Sequence, residues 1–244
     1  MPSRRAVCAA LVALCAGAWQ VRTLAQPSPT AGVTVTAAVT LAGANTGFVD
    51  RSDVVVWLTP AGDSARPRPA QTRRYKIDQQ QKRFQPHVLV VPVGSSVDFP
   101  NLDPIFHNVF SLFDGKRFDL GLYEAGTSRS VSFTRTGVCY VFCNIHPDMS
   151  AVIVVVDTRY YATSNAAGAV SIPDVPPGRY KLSVWHERFK PVDGGEFPKD
   201  VTVASNSAAL GTLRFNEGSR TPTSHTNKFG HEYMPPAPVS PVYP

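Results

Sequence analysis

The sequence predicts an all-β protein built from β-sandwiches, and three observations carry that prediction. No stretch between residues 30 and 217 sustains a helical hydrophobic period. Short β-branched runs recur in its place. Gly, Pro, Asn and Asp punctuate those runs at close intervals. β-branched side chains lose rotamer freedom on a helix and pack well on a pleated surface, so such runs read as sandwich strands.

In chain order the expected strands are Val33–Leu41, Val54–Leu58, His87–Val93, Ser130–Phe133, Val138–Phe142, Ala151–Val156, Tyr180–Trp185 and Asp200–Val203. Ala151–Val156, "AVIVVV", is continuous rather than alternating, and is too short for a helix. It fits a strand buried on both faces. Gly62–Arg74, "GDSARPRPAQTRR", is polar, basic and Pro-containing and is expected to be a linker over about 61–75.

The ends of the chain differ from its middle. Arg4 and Arg5 precede an apolar run, Ala6–Ala18, and Thr23-Leu24-Ala25 sets small residues at a cleavage position before Gln26. Residues 1–25 therefore read as a secretory signal peptide, and the mature protein is expected in the periplasm or secreted, with no stable membrane insertion. Cleavage would remove three arginines and no acid, lowering the formal charge from +6 to +3. That is too mild a charge to argue for nucleic acid. Gly218–Pro244 is dense in proline with no apolar period, so residues 217–244 are expected to be a disordered tail; His225, His231 and Met234 there read as solvated.

Cleavage would also remove Cys8 and Cys15 and leave Cys139 and Cys143, both in "CYVFCNIHPDM". On one strand, their Cα atoms would lie about 13 Å apart at the usual rise. A disulfide spans no more than about 7 Å, so they do not pair with each other. Cys143, His146 and Met149 are spaced by two residues each, where a strand gives way to a loop. Thiolate and thioether are soft donors and imidazole is borderline, a set that suits copper. Zinc would not use methionine, and iron–sulfur clusters need more thiolates. Two histidines, one cysteine and a weak axial methionine make an electron-transfer copper site. The second histidine is expected from "VDFPNLDPIFHNVF", where a turn at Asn101–Pro104 precedes His107. His87 and His186 lie at strand positions that suit packing.

Taken together, "VDFPNLDPIFHNVF" and "GVCYVFCNIHPDMSAVIVV" resemble the type 1 copper signature of the plastocyanin/amicyanin family of cupredoxins, over residues 76–157. The short ligand loop is most similar to that of amicyanin. The resemblance implies a Greek-key cupredoxin sandwich holding one type 1 copper. His107, Cys143 and His146 would be equatorial ligands and Met149 axial. Asn108 would take the outer position that ties the two ligand-bearing loops together. His146 would be the exposed end through which electrons leave.

Two departures stand out. Cys139 occupies a position that is usually aromatic, and reads either as a small buried hydrophobe or as the second thiolate of a dinuclear copper centre. The dinuclear centre would place both cysteines in a longer loop. Ile145 stands where the family carries proline, so an N–H is present that proline lacks. Phe106, Phe110, Phe142 and the "AVIVVV" strand are candidates for keeping water from the metal.

"YYATSNAAGAVSIPDVPPGRYKLSVWHERFKP" resembles the carboxypeptidase regulatory-like (transthyretin-like) sandwich, whose earlier half matches "VTVTAAVTLAG" and "DVVVWLTP". This implies an insertion: one sandwich formed by residues 31–60 and 158–216, interrupted by the copper unit. Two domains in series are the alternative.

The expected function is a periplasmic carrier of single electrons, not an enzyme, with a dehydrogenase or cytochrome as redox partner. Copper delivery or storage is the alternative. A copper oxidase or nitrite reductase would need a second copper centre and more histidines than the chain provides.

Overall fold

The computed structural model describes residues 32–42, 49–62, 72–112, 116–192, 197–206, 208–217 and 226–233. The expected signal peptide, most of the linker and most of the C-terminal tail lie outside them. The described residues are strands and loops with no α-helix.

Eighteen strands follow in order. They begin with β1 (Val33–Ala42), β2 (Val55–Pro60), β3 (Arg74–Lys76), β4 (Asp78–Gln80), β5 (Arg83–Gln85) and β6 (Val88–Pro92). Next are β7 (Ser95–Pro100), β8 (His107–Ser111), β9 (Phe118–Tyr123), β10 (Ser128–Phe133), β11 (Gly137–Phe142) and β12 (Ser150–Val156). The last are β13 (Tyr161–Thr163), β14 (Ala169–Val175), β15 (Gly178–Trp185), β16 (Phe189–Pro191), β17 (Lys199–Val203) and β18 (Ala209–Glu217).

Two sheets combine the first and last parts of the chain, in the orders β14-β1-β18-β16 and β13-β2-β15-β17. Their facing side chains form one core, with Val35, Val56, Leu58, Ile172, Tyr180 and Phe215 fully or almost fully buried. Two more sheets come from the middle of the chain, in the orders β10-β7-β3 and β6-β12-β11-β8-β9. Between them lies a second core that includes Val97, Phe99, Val109, Phe133, Val141 and Ile153. In both pairs the alternation of inward and outward residues follows from the pleat.

β12 explains why the sheets form one stack. Ala151, Ile153 and Val155 point into the core of the middle sheets. Val152, Val154 and Val156 point the other way, onto Val55, Trp57, Tyr161 and Trp185 of the neighbouring sheet. A continuous apolar run is what a strand covered on both faces requires. Each buried valine contributes roughly 1.5 kcal/mol or more, so this seam is a hydrophobic interface in its own right. Its rim is polar: Thr59 Oγ1 donates to Asp157 Oδ1 at 3.0 Å, and the Tyr75 and Tyr161 hydroxyls meet at 3.2 Å. His87 Nε2 lies 2.9 Å from Glu187 Oε2.

A short hairpin, β4–β5, turns through Gln81 and Lys82, which have φ of 54° and 55°. Two consecutive left-handed residues make the tight turn that matches strand twist. Neither is glycine, so local strain is accepted here, and the two N–H groups are used at the site described next.

Candidate metal centre

The centre is assembled from two loops at one end of the five-stranded middle sheet. The first runs from the end of β7 to the start of β8. Buried Asn101 organises it: its Nδ2 donates to the carbonyls of Ile105 (2.7 Å) and Tyr123 (3.3 Å), and its Oδ1 accepts the Asp103 N–H at 3.1 Å. The turn thus formed ends at His107, the first residue of β8, whose side chain is fully buried.

The second loop is the stretch between β11 and β12. It closes on itself, with the Cys143 N–H donating to the Met149 carbonyl and the Met149 N–H to the His146 carbonyl, each at 3.1 Å. Cys143 and Met149 are both fully buried in the same core. His146 is half-buried and Ile145 is exposed.

These loops bring three donors together. One ligand atom each from His107, Cys143 and His146 lies within 4.8 Å of the others. His107 Nδ1 is 3.2 Å from His146 Nδ1 and 3.9 Å from Cys143 Sγ; His146 Nδ1 is 3.5 Å from the same sulfur. The tautomer of His107 follows from its other nitrogen. Nε2 sits 2.8 Å from Asp103 Oδ2, and an ionised carboxylate only accepts. Nε2 therefore carries the hydrogen, and in the neutral ring Nδ1 turns a lone pair toward the sulfur and the second ring.

Asp103 is held ionised by its surroundings. Burial pushes its carboxyl up, but the N–H of Lys82, the His107 ring and the N–H of Gln81 outweigh burial and bring it below the usual range. The two N–H groups are those of the left-handed turn, at 2.6 Å from Gln81 and 2.8 Å from Lys82. Consecutive N–H groups of this kind form an anion-binding concavity. Asp103 was not among the residues singled out from sequence. Its signal was an aspartate four positions before the histidine, in a turn closed by Pro104.

Cys143 faces opposing influences. Burial raises its thiol, while the backbone N–H groups of Asn108, Ile145 and His146 bond the sulfur and favour the thiolate. Burial also lowers His146 to about 4, aided by His107 and Lys82, so the ring is neutral and able to ligate near neutrality. Asn108 bonds the sulfur through its backbone; its side-chain Nδ2 instead donates to Asp119 Oδ1 at 2.8 Å, joining β8 to β9. A buried thiol, two imidazoles and a buried thioether form a donor set suited to copper.

The other residues named from sequence are placed as follows. Cys139 is a free, buried thiol in the core, 3.4 Å from Ser111 Oγ and 3.6 Å from the Lys116 carbonyl. Phe110 and Phe142 are buried and pack with ring centroids 6.0 Å apart. Phe106, expected to shield the metal, is instead 57% exposed, because it sits on the loop rather than in β8. His87 lies at the seam between sheets, contacting Ser150 and Glu187, and His186 Nδ1 accepts the Arg188 N–H. Within residues 217–244, expected to be a disordered tail, residues 226–233 instead form a turn, held by bonds to the Cys143 loop.

No family model matches the chain, and no curated protein matches it. Solved structures similar to part of it include a purple cupredoxin from Nitrosopumilus maritimus, 24% identical, covering 34% of this chain and 99% of that one, with a TM-score of 0.31. Another is a reduced amicyanin variant, 24% identical over 34% of this chain and 82% of that one, at a TM-score of 0.32. A third is a copper-containing nitrite reductase from Thermus scotoductus, 24% identical over 40% of this chain but 25% of that one, at a TM-score of 0.33.

Proposed function

We propose that the centre binds one copper ion through His107 Nδ1, His146 Nδ1 and Cys143 Sγ, with Met149 as a weak axial ligand, and that the protein carries single electrons between redox proteins. The observation that carries this reading is the convergence of two imidazole nitrogens and one thiol sulfur inside an apolar core. Bound copper would supply a one-electron couple. The chain's part is to hold the donors, exclude water and fix the imidazoles. Asp103 keeps Nδ1 of His107 free, which supports ligation through that atom. Full burial of His107, Cys143 and Met149 supports a dry site that changes little between oxidation states.

His146 is the half-buried ligand, and it is the proposed route for the electron. Its partner would be a soluble dehydrogenase or cytochrome making a small, transient contact. A carrier is favoured over an enzyme by the use of the other histidines. Of six in the chain, two serve the centre and His87 and His186 are hydrogen-bonded elsewhere, leaving few for a second catalytic copper. We also propose that residues 76–157 form the copper unit and that it interrupts a second sandwich made of 31–60 and 158–216. The shared sheets of β1 with β14 and β18 support that division. We propose a location outside the cytoplasm from the leader-like residues 1–25.

The test is voltammetry of the copper-loaded chain. A carrier gives fast, reversible one-electron exchange. A delivery or storage protein binds Cu(I), gives no coloured Cu(II) form and shows slow or irreversible exchange, an outcome that would overturn the carrier reading while leaving the ligands in place.

A further inference from the structure

Residues 226–233 form a compact turn. Asn227 organises it: its Oδ1 accepts the N–H groups of Phe229 (2.9 Å) and His231 (3.1 Å). Its backbone N–H donates to the His231 carbonyl at 2.8 Å, and its carbonyl accepts the Gly230 N–H at 2.9 Å. Gly230 has φ of +79°, a conformation that glycine adopts without a Cβ penalty.

Three bonds run from this turn to the segments around the metal centre. The Tyr233 hydroxyl donates to the Cys143 carbonyl at 2.7 Å. The Lys228 N–H donates to Asn144 Oδ1 at 2.8 Å. The Lys228 ammonium meets Asp119 Oδ2 at 2.7 Å, and the other oxygen of that carboxylate accepts the Asn108 side chain at 2.8 Å. The turn therefore grips both ligand-bearing segments. It holds the Cys143–Asn144 peptide directly, and it holds Asn108, next to His107, through Asp119.

The held groups adjoin the peptides that solvate the sulfur. Asn108, Ile145 and His146 supply the N–H groups bonded to Cys143 Sγ. Fixing Cys143 C=O and the Asn144 side chain sets the direction from which the Ile145 and His146 N–H groups approach the sulfur.

We propose that the turn at 226–233 is a clasp on the metal centre, with Tyr233 and Lys228 as positioning residues that lock the ligand loop and slow the loss of metal. As a function of the centre this rests on the copper reading; as a contact it does not. Opening the clasp frees the Cys143–Asn144 peptide, loosens the N–H groups on the sulfur and lets the ligand loop, with Cys143 and His146, swing away from His107. Outer-shell partners of this kind typically change metal affinity by about tenfold to a hundredfold.

The experiment uses the full chain and three variants: Tyr233→Phe, Lys228→Met and Lys228→Arg. In the copper-free protein, amide hydrogen exchange at Ile145 and His146 is expected to quicken about fivefold in Tyr233→Phe, the factor one net hydrogen bond carries. Lys228→Met, which cuts the tie to Asp119, should quicken exchange at the Asn108 amide likewise, and Lys228→Arg, which retains the bond to Asp119, should restore the parent rate. In the copper-loaded protein, removal of Cu(II) by a chelator should quicken about tenfold in the first two variants. Unchanged exchange at Ile145 and His146 in Tyr233→Phe and at Asn108 in Lys228→Met, with the unfolding midpoint intact, overturns the clasp. Faster exchange in a chain that shows no thiolate-bound Cu(II) spectrum supports the clasp and overturns the copper reading instead. Faster exchange with an unchanged removal rate overturns the claim that the clasp retains metal.

Discussion

The Nε2–H of His107 donates to Asp103 Oδ2 across 2.8 Å, and this one bond decides which face of the imidazole looks at Cys143. The carboxylate is itself pinned by two N–H groups of a strained turn, so the orientation of a buried ring is set by residues more than twenty positions earlier in the chain.

Replacing Asp103 with asparagine should weaken Cu(II) binding by about tenfold to a hundredfold, the range seen when a partner behind a metal-binding histidine is lost. The amide keeps the shape but sets an NH2 group against N–H donors or against the imidazole. Competition titration with a copper chelator checks this. An affinity equal to the parent would mean that His107 is not oriented by Asp103.

Ile145→Pro should lower the reduction potential. The Ile145 N–H bonds the Cys143 sulfur, and a donor to the sulfur weakens its hold on oxidised copper more than on reduced copper. The side chain is exposed, so little packing is lost. Voltammetry of parent and variant decides the matter; an unchanged or higher potential in the variant would contradict it.

Lys82→Gly should stabilise the protein by up to about 1 kcal/mol, since φ of 55° strains lysine but suits glycine. The N–H that serves Asp103 is kept. Chemical denaturation measures this, and a loss of stability would show that the lysine side chain contributes more than its backbone costs.

The pair His87–Glu187 should make the seam between sheets pH-sensitive. His87 Nδ1 faces the Ser150 carbonyl at 3.1 Å and Nε2 faces Glu187 at 2.9 Å. Both partners accept, so the ring is best satisfied as an imidazolium. The bond to Glu187 raises the His87 pKa above its ordinary value, and the same bond lowers that of Glu187. The pair's contribution is therefore complete below the unfolded histidine value and fades as pH rises through the folded one; at the acid end it fades as Glu187 protonates. His87 is 40% exposed, which holds the effect to about 1 kcal/mol. Glu187→Gln should cost about that much at roughly pH 6 and almost nothing at roughly pH 9. A cost that is the same at both would remove His87 ionisation from the account.

Much of this arrangement was legible in the residues. "AVIVVV" announces a strand covered on both faces, and that is where β12 lies. The spacing Cys143, His146, Met149 marks a loop at a strand end, and His107 stands where a turn returns to apolar residues. Other parts carry no local signal. β8, "HNVFS", is buried throughout although three of its five residues are polar; tertiary partners meet the His107 ring, the Asn108 side-chain nitrogen and the Ser111 hydroxyl. β4 and β5 are three-residue strands, with Phe84 their one apolar residue, around a turn with no glycine or asparagine, so the anion concavity behind Asp103 is written only in backbone geometry. Tyr233 lies 90 residues from Cys143, and no composition rule joins a proline-rich tail to a buried loop.

The measurement that bears most directly on the centre is the optical and EPR spectrum of the full chain loaded with Cu(II), beside its Cys143→Ser variant. The account predicts an intense visible sulfur-to-copper charge-transfer band and a narrow copper hyperfine splitting in the parent, both lost in the variant. A colourless adduct, or a spectrum indifferent to the loss of that sulfur, would contradict it.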